Sequence, residues 1–335
     1  MAVAALCIAA AAEFARLKYS VGLDLAGLAA VLLFTHEVRT QRSRPVGPNG
    51  PDPVKLLADG EVSGLPTQWS RTAPPSRFEQ EGVVEVDPLL AVRRGRTVIV
   101  MPAYNAAKTL ERTYTDLPPG LADDVILVDD HSVDNTVEVA RALGLKVICH
   151  ERNLGYGGNQ KTCYTAALAR GAEIIVMLHP DHQYDPKAIP DLIRPLVEGR
   201  ADAVFGSRML GGKCLEGGMP TWKFDANVVL TAVANISLKT FLTEFHSGFR
   251  AYSRRYLKAV NYQCNSNDFV FDTEIIIQGL HKGLRIHEVP IQTRYFEEAS
   301  QIGFPRSVRY GLSILATLLA YQAHRKGMIQ DKRFA

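Results

Sequence analysis

The sequence predicts an α/β fold: a mostly parallel, Rossmann-like sheet flanked by helices and followed by a C-terminal amphipathic helix. Three observations carry this. Short aliphatic runs, Thr97-Val-Ile-Val-Met101 and Val125-Ile-Leu-Val-Asp129, stop abruptly at polar residues. Each falls far short of the ~20 residues of a membrane span and suits a strand buried on both faces of a parallel sheet. Helix-sized gaps separate the runs, and glycines or prolines close the gaps.

Taken in order, strand 97–101 leads to a helix near 106–116, broken by Pro118-Pro119-Gly120. Strand 125–129 follows, then a helix over 134–143 that opens after Asp134 and stops at Gly144. Strand 145–149 precedes the glycine-rich loop Asn153-Leu-Gly-Tyr-Gly-Gly158 and a helix near 159–170 ended by Gly171. Strand 173–178 runs into His179-Pro-Asp-His-Gln-Tyr-Asp-Pro186. This alternation implies right-handed crossovers between parallel strands.

In an open α/β sheet, ligands sit outside the carboxyl ends of the strands. Pro102, Tyr104, Asn105, Asp129 and Asp130 are thereby delivered to one crevice. Carboxylates and backbone amides without a GxGxxG loop suit a nucleotide held by its base and ribose. After the fourth strand, His179, Asp181, His182 and Asp185 crowd together. Oxygen ligands beside a diphosphate are what a hard divalent cation takes. Asp181 reads as the ligand, and Asp185, followed by Pro186, as the cap of the next helix.

The chain has 335 residues and a formal charge of +3, a near balance that calls for neither nucleic acid nor an acidic partner. Its five cysteines are odd in number and form no CxxC, which points to a reducing compartment rather than structural zinc or a disulfide framework. Residues 1–38 contain two apolar runs, interrupted at Glu13 and Asp24, that read as short helices packed together or lying on a membrane. Residues 39–95, rich in Pro, Gly and Arg, read as a linker.

Six motifs occur in order: Val100-Met-Pro-Ala-Tyr-Asn105, Val128-Asp-Asp-His-Ser-Val-Asp-Asn-Thr136, Asn153–Gly158, the 179–186 loop, Phe205-Gly-Ser-Arg208 and Ser247-Gly-Phe-Arg250. Together they resemble the family 2 glycosyltransferases, especially the branch of dolichyl-phosphate mannose synthase and polyprenyl-phosphate glycosyltransferases. The resemblance implies a GT-A fold over residues 96–290, a nucleotide-sugar donor, a divalent cation (Mg²⁺ or Mn²⁺) and inversion at the anomeric carbon. It also implies a nucleoside pocket lined by Pro102, Ala103, Tyr104 and Asn105, with Asp130 and neighbouring Asp129 on base or ribose and Ser132 closing the turn. Asp181 matches the last acid of the family's DxD motif, and Gln183 a polar residue after it. Two positions depart from the pattern. Ala106 stands where Glu is frequent, and His179 replaces the first acid. Imidazole suits Mn²⁺ better than Mg²⁺, so His179 reads either as a metal ligand or as a donor to the diphosphate.

Downstream, Arg208 and Arg250 are suited to gripping phosphate bidentately, or equally to ion pairs that tie loops to the core. By resemblance Arg208 and Arg250 are placed at an acceptor phosphate, Arg208 foremost. Asp272, four residues after Asp268, sits at the family's candidate base and equally at a helix start, where a carboxylate favours the dipole. Residues 291–335 read as an acceptor loop and an amphipathic helix, with Arg306 at the diphosphate or in solvent. The apolar run 312–320 lies between Arg306, Arg309 and His324-Arg-Lys326, a pattern for a membrane surface or for core packing.

The expected activity is transfer of a hexose from a UDP- or GDP-linked donor to a polyprenyl or dolichyl phosphate, at the cytoplasmic face of a membrane. Two other readings stand beside it. One is transfer to a saccharide hydroxyl with Asp272 as base. The other is a catalytically silent nucleotide-sugar-binding module, motivated by His179 and Ala106.

Overall fold

The computed structural model describes residues 95–210, 214–294 and 303–335. The expected N-terminal helices, the 39–94 part of the linker and positions 295–302 of the acceptor loop lie outside the described residues.

The chain builds β1 (Thr97–Ala103), α1 (Leu110–Thr115), β2 (Asp124–Asp129), α2 (Thr136–Ala142), β3 (Lys146–Cys149), α3 (Tyr156–Ala169) and β4 (Ile174–Met177). It continues with α4 (Ile189–Val197), β5 (Ala203–Ser207), α5 (Thr221–Leu238), β6 (Arg250–Ser253), α6 (Arg254–Ala259), α7 (Phe271–His281), β7 (Ile286–Pro290) and α8 (Phe304–Arg325). Seven strands form one sheet in the order β3-β2-β1-β4-β6-β5-β7. The first four strands are mutually parallel, as the alternation predicts. β6 runs antiparallel between β4 and β5, and β7 returns parallel to β5.

β1 is buried along its whole length because α3 covers one side of the strand pair and the rest of the core the other. Its aliphatic residues and those of β2, β4 and β5 remove most of their apolar surface from water, at roughly 25 cal/mol per Å². β3 is an edge strand with exposed ends, Lys146 and Cys149. Asp124, at the amino end of β2, is held ionised: burial opposes this, but Lys146, Arg96 and Arg170 outweigh it.

The glycine-rich stretch is partly helix. α3 opens at Tyr156, after Gly155 at φ 85°, and Gly157 and Gly158 lie in its first turn. A methyl group on Gly157 would overlap the Ser266 carbonyl and lie 2.9 Å from Phe271 Cβ. These glycines let α3 approach the segment before α7; the Gly157 amide donates to the Asn267 carbonyl at 2.8 Å. Helix propensity alone predicts that Gly157→Ala stabilises by about 1 kcal/mol. The packing predicts the opposite sign, a loss of about 1–3 kcal/mol in urea unfolding.

Candidate functional site

The carboxyl ends of β1 and β2 are stitched to each other. Asn105, at φ 53°, donates its amide to Ser132 Oγ (2.8 Å) and accepts from the Val133 amide at Oδ1 (2.9 Å). Asparagine tolerates this left-handed backbone better than most side chains. Ser132 in turn donates its amide to Asp129 Oδ2 at 3.0 Å. Pro102 and Ala103 are buried in β1, whereas Tyr104 is 55% exposed at the crevice rim.

The two acids behind this turn have different duties. Asp130 accepts from the amides of Leu154 (2.8 Å) and Gly155 (2.9 Å) and pairs with His150 Nδ1 (2.8 Å). Its carboxylate clamps the 150–155 loop. Asp129 is the acid with an open acceptor: its buried Oδ1 finds no hydrogen-bond partner among the described residues. Asn159, on α3, donates to the carbonyls of Val128 (3.0 Å) and Ala103 (3.4 Å) and holds the two strand ends together.

β4 delivers the second half of the site. Asp181 Oδ1 accepts from the Gln183 amide at 3.1 Å, and its other oxygen takes no hydrogen bond from the described residues. His182, at φ 55°, is buried and bonds Asp116 at 2.8 Å. Asp185 caps the turn at Pro186–Ala188 by accepting from the Lys187 amide, and pairs with Arg294 at 3.1 Å. Gln183 is buried, and its carbonyl accepts from the Arg294 amide. The post-β7 segment is thus sewn onto the post-β4 loop.

His179 lies part-buried between Tyr156 and Gly248. Its ring stacks on Tyr156 (centroids 5.5 Å apart, 11° between planes), and Nε2 is 3.4 Å from the Tyr156 hydroxyl. Burial pulls its pKa below the ordinary value, against the pull of Asp181 and Asp272. No group of three or more His, Cys, Asp or Glu side chains is placed to hold a metal among the described residues. Asp181 and His179 fit a cation that takes its remaining ligands from diphosphate and water.

The arginines and Asp272 are drawn into ion pairs, one of the two roles open to each arginine. Arg250 is 1% exposed. Its guanidinium donates to the carbonyls of Ser247 (2.7 Å), Phe245 (3.0 Å) and Asp272 (3.1 Å) and pairs with Asp272 Oδ1 at 3.3 Å. Enclosed by three carbonyls and a carboxylate, Arg250 ties the loop before β6 and α7 to the core, the second of the two roles open to it. Asp272 accepts from Gln160 Nε2 (3.1 Å) and the Tyr156 hydroxyl (2.7 Å) as well. Both of its oxygens are thereby engaged by the scaffold. Arg208 pairs with buried Glu244, whose ionised form prevails over burial because of that charge. Arg306 is exposed on the first turn of α8.

Tyr156, Gln160, Glu244 and His246 were not legible as site residues. His246 bonds Tyr310 of α8 at 3.1 Å through Nδ1, and its buried Nε2 has no partner among the described residues. Burial, helped by Arg208 and Arg250, holds its pKa down to about 4. The only signal for Tyr156 was its place in the Asn153–Gly158 motif; the others carried none.

The family described as glycosyl transferase family 2 matches residues 98–260. The UDP-N-acetylglucosamine–dolichyl-phosphate N-acetylglucosaminyltransferase of Methanococcus voltae is 31% identical over 238 residues, spanning 66% of this chain and 94% of that protein. A low-salt glycan biosynthesis hexosyltransferase of Haloferax volcanii is 32% identical over 223 residues, 64% of this chain and 52% of that protein. The crystal structure of glucosyl-3-phosphoglycerate synthase from Mycobacterium tuberculosis, with Mn²⁺, UDP and phosphoglyceric acid, aligns with a TM-score of 0.57 at 21% identity, covering 71% of this chain and 82% of that one.

Removing one partner of a buried ion pair typically costs about 3–5 kcal/mol. Arg250→Met should lose stability on that scale in chemical denaturation, and Asp272→Leu introduced into the same chain should recover part of the loss. A single substitution within ~0.5 kcal/mol of the parent would show that the pair contributes little.

Proposed function

The chain belongs to glycosyl transferase family 2 and has its GT-A fold, and on that premise we propose that it moves a sugar from a nucleotide donor to a polyprenyl or dolichyl phosphate. The observation that carries the choice of acceptor is the engagement of Asp272. With Arg250, Gln160 and Tyr156 on its oxygens, the one acid expected to serve as base is not at liberty to take a hydroxyl proton. A phosphate oxygen is already ionised near pH 7 and needs orientation rather than deprotonation. The Methanococcus voltae relative, named for a dolichyl-phosphate acceptor and a UDP-linked donor, supports the same reading. It also favours UDP over GDP and leaves the transferred sugar a hexose or an N-acetylhexosamine.

In this reading Asp129 Oδ1 receives a donor N–H or O–H of the base or ribose, with Pro102, Ala103, Tyr104, Asn105 and Ser132 shaping the pocket around it. Asp181 and His179 face the diphosphate, with Gln183 behind them and Arg306 reaching in from α8. A bound Mg²⁺ or Mn²⁺ would be held by Asp181 and His179 and would neutralise charge on the departing nucleoside diphosphate. The acceptor oxygen forms its bond to the anomeric carbon as the bond to the diphosphate breaks on the opposite face, inverting the centre. Arg208 borders this space, its charge balanced by Glu244, and orients the acceptor phosphate.

Among the described residues no helix is long and apolar enough to cross a membrane. Contact with a lipid-borne acceptor would then be peripheral, at the cytoplasmic face. Its support lies along α5 and α8, which run side by side: Gly311 adjoins Leu230, and Gln322 donates to the Ser237 carbonyl. Leu312 (52% exposed) on α8 and Ile236 (38%) on α5 stand out, with Phe241 (88%) just beyond the end of α5 and Lys239, Arg325 and Lys326 exposed near the helix ends. Apolar anchors with basic flanks suit an anionic lipid surface.

Asp181→Asn should lower transfer to a short polyprenyl phosphate by at least ~100-fold, since preorganised charge at the leaving group is worth several kcal/mol. Unchanged nucleoside diphosphate release would remove Asp181 from the leaving-group site, no release by the parent chain would sink the enzyme reading, and transfer to free saccharides instead would favour the hydroxyl acceptor. Phe241→Ser should weaken sedimentation with phosphatidylglycerol vesicles several-fold without moving the Tm; equal binding of both forms would remove α5 and its tip from the membrane surface.

A further inference from the structure

The hydrogen bonds around His179 determine which of its nitrogens carries the proton. Asp272 Oδ1 is engaged by Arg250 and Gln160, and its Oδ2 accepts from the Tyr156 hydroxyl at 2.7 Å. A carboxylate has only lone pairs to offer, so the phenolic proton lies on the line to Asp272. Burial and the nearby Asp272 keep Tyr156 protonated, well above the ordinary tyrosine range. Its oxygen therefore faces His179 Nε2, 3.4 Å away, with lone pairs. Two lone pairs do not bond, and the contact is favourable only if Nε2 carries the hydrogen. A neutral imidazole has one proton, so Nδ1 is left with a lone pair. Among the described residues nothing bonds Nδ1.

The ring is also held in place. Tyr156 stacks on one side. On another, a methyl group added to Gly248 would lie 2.7 Å from His179 Nε2 and 2.9 Å from Cδ2, so a glycine is needed for the imidazole to sit there. Such orientation of a ligating histidine through the hydrogen bond of its other nitrogen is a general device of metal sites.

We infer that Tyr156 is a positioning residue: through the relay Arg250–Asp272–Tyr156 it fixes His179 as the Nε2–H tautomer and presents Nδ1, two residues from Asp181, as an unprotonated nitrogen donor. Where an acid would bring a second negative charge, this chain has a neutral nitrogen. A nitrogen-plus-carboxylate pair selects a borderline cation of the Mn²⁺ type over Mg²⁺. The cation preference rests on the donor-site reading proposed above; the tautomer does not.

The test begins with ¹⁵N-histidine-labelled full-length protein, free of nucleotide and metal, with His179 assigned by the loss of its signals in His179→Asn. Long-range ¹H–¹⁵N correlation spectra should show a protonated, pyrrole-type Nε2 and a bare, pyridine-type Nδ1. The opposite tautomer overturns the inference outright, and this spectrum decides even if the variants below do not fold. In Tyr156→Phe the fixed tautomer should give way to a mixture. The affinity for MnCl₂ in the presence of UDP, read by calorimetry, should fall about 10- to 100-fold. An unchanged tautomer and unchanged Mn²⁺ affinity would reject the positioning role. His179→Asp should shift the preference toward Mg²⁺ and make it insensitive to Tyr156→Phe; persistence of the Mn²⁺ preference would reject the nitrogen-donor role. If the tautomer is as stated but no UDP- or GDP-sugar binds, the donor reading fails and the relay stands.

Discussion

A guanidinium enclosed in the middle of a sheet obliges the chain to order itself around it. Arg250 sits on β6, whose neighbours are β4 and β5, and its side chain has essentially no access to water. Left unpaired there, a charge would cost several kcal/mol, so the surrounding chain must supply partners. It does so from the loop before β6, through the carbonyls of Phe245 and Ser247, and from α7, through the carbonyl and carboxylate of Asp272. The first turn of α7 is thereby placed. The second oxygen of Asp272 then calls in Tyr156 from α3, and Tyr156 reaches the imidazole of His179. One buried ion pair aligns three elements that are distant in sequence and ends at the loop after β4.

The polar groups at the carboxyl edge of the sheet divide by whether the chain itself satisfies them. Asp130, Asn105, Asn159 and His182 have their partners within the protein and shape the loops. Asp129 Oδ1 and the second oxygen of Asp181 have none among the described residues. Open acceptors at the end of an α/β sheet are where a ligand with donors or a bridging cation gains most. The same division bears on the acceptor. With Asp272 committed to the scaffold, chemistry that starts from an ionised nucleophile fits better than chemistry that must first remove a proton.

The parallel half of the sheet was legible because β1, β2 and β4 are buried on both faces and must be written as aliphatic runs. β6 was not. Arg250-Ala-Tyr-Ser253 has no such run, and its burial depends on the two strands that close around it. The start of α3 was displaced for a related reason. Glycines at 157 and 158 weaken a helix in isolation, and only the approach of residues 266–271 explains them. Asp129 and Asp130 look alike in sequence, yet adjacent residues at a strand end point to opposite sides. Which of them meets the 150–155 loop depends on where that loop returns.

By itself the sequence determined the fold class, the family resemblance and the list of chemically able residues, because hydrophobic periodicity and motif order are local properties of the chain. The tertiary structure alone decided which of those residues remain available. Arg250 and Asp272 are drawn into mutual neutralisation, Arg208 is balanced by Glu244, and Asp129 and Asp181 each keep an oxygen that no described residue engages. The physical reason is that the cost of a buried charge or polar group depends on partners brought from far along the chain, which no local pattern specifies.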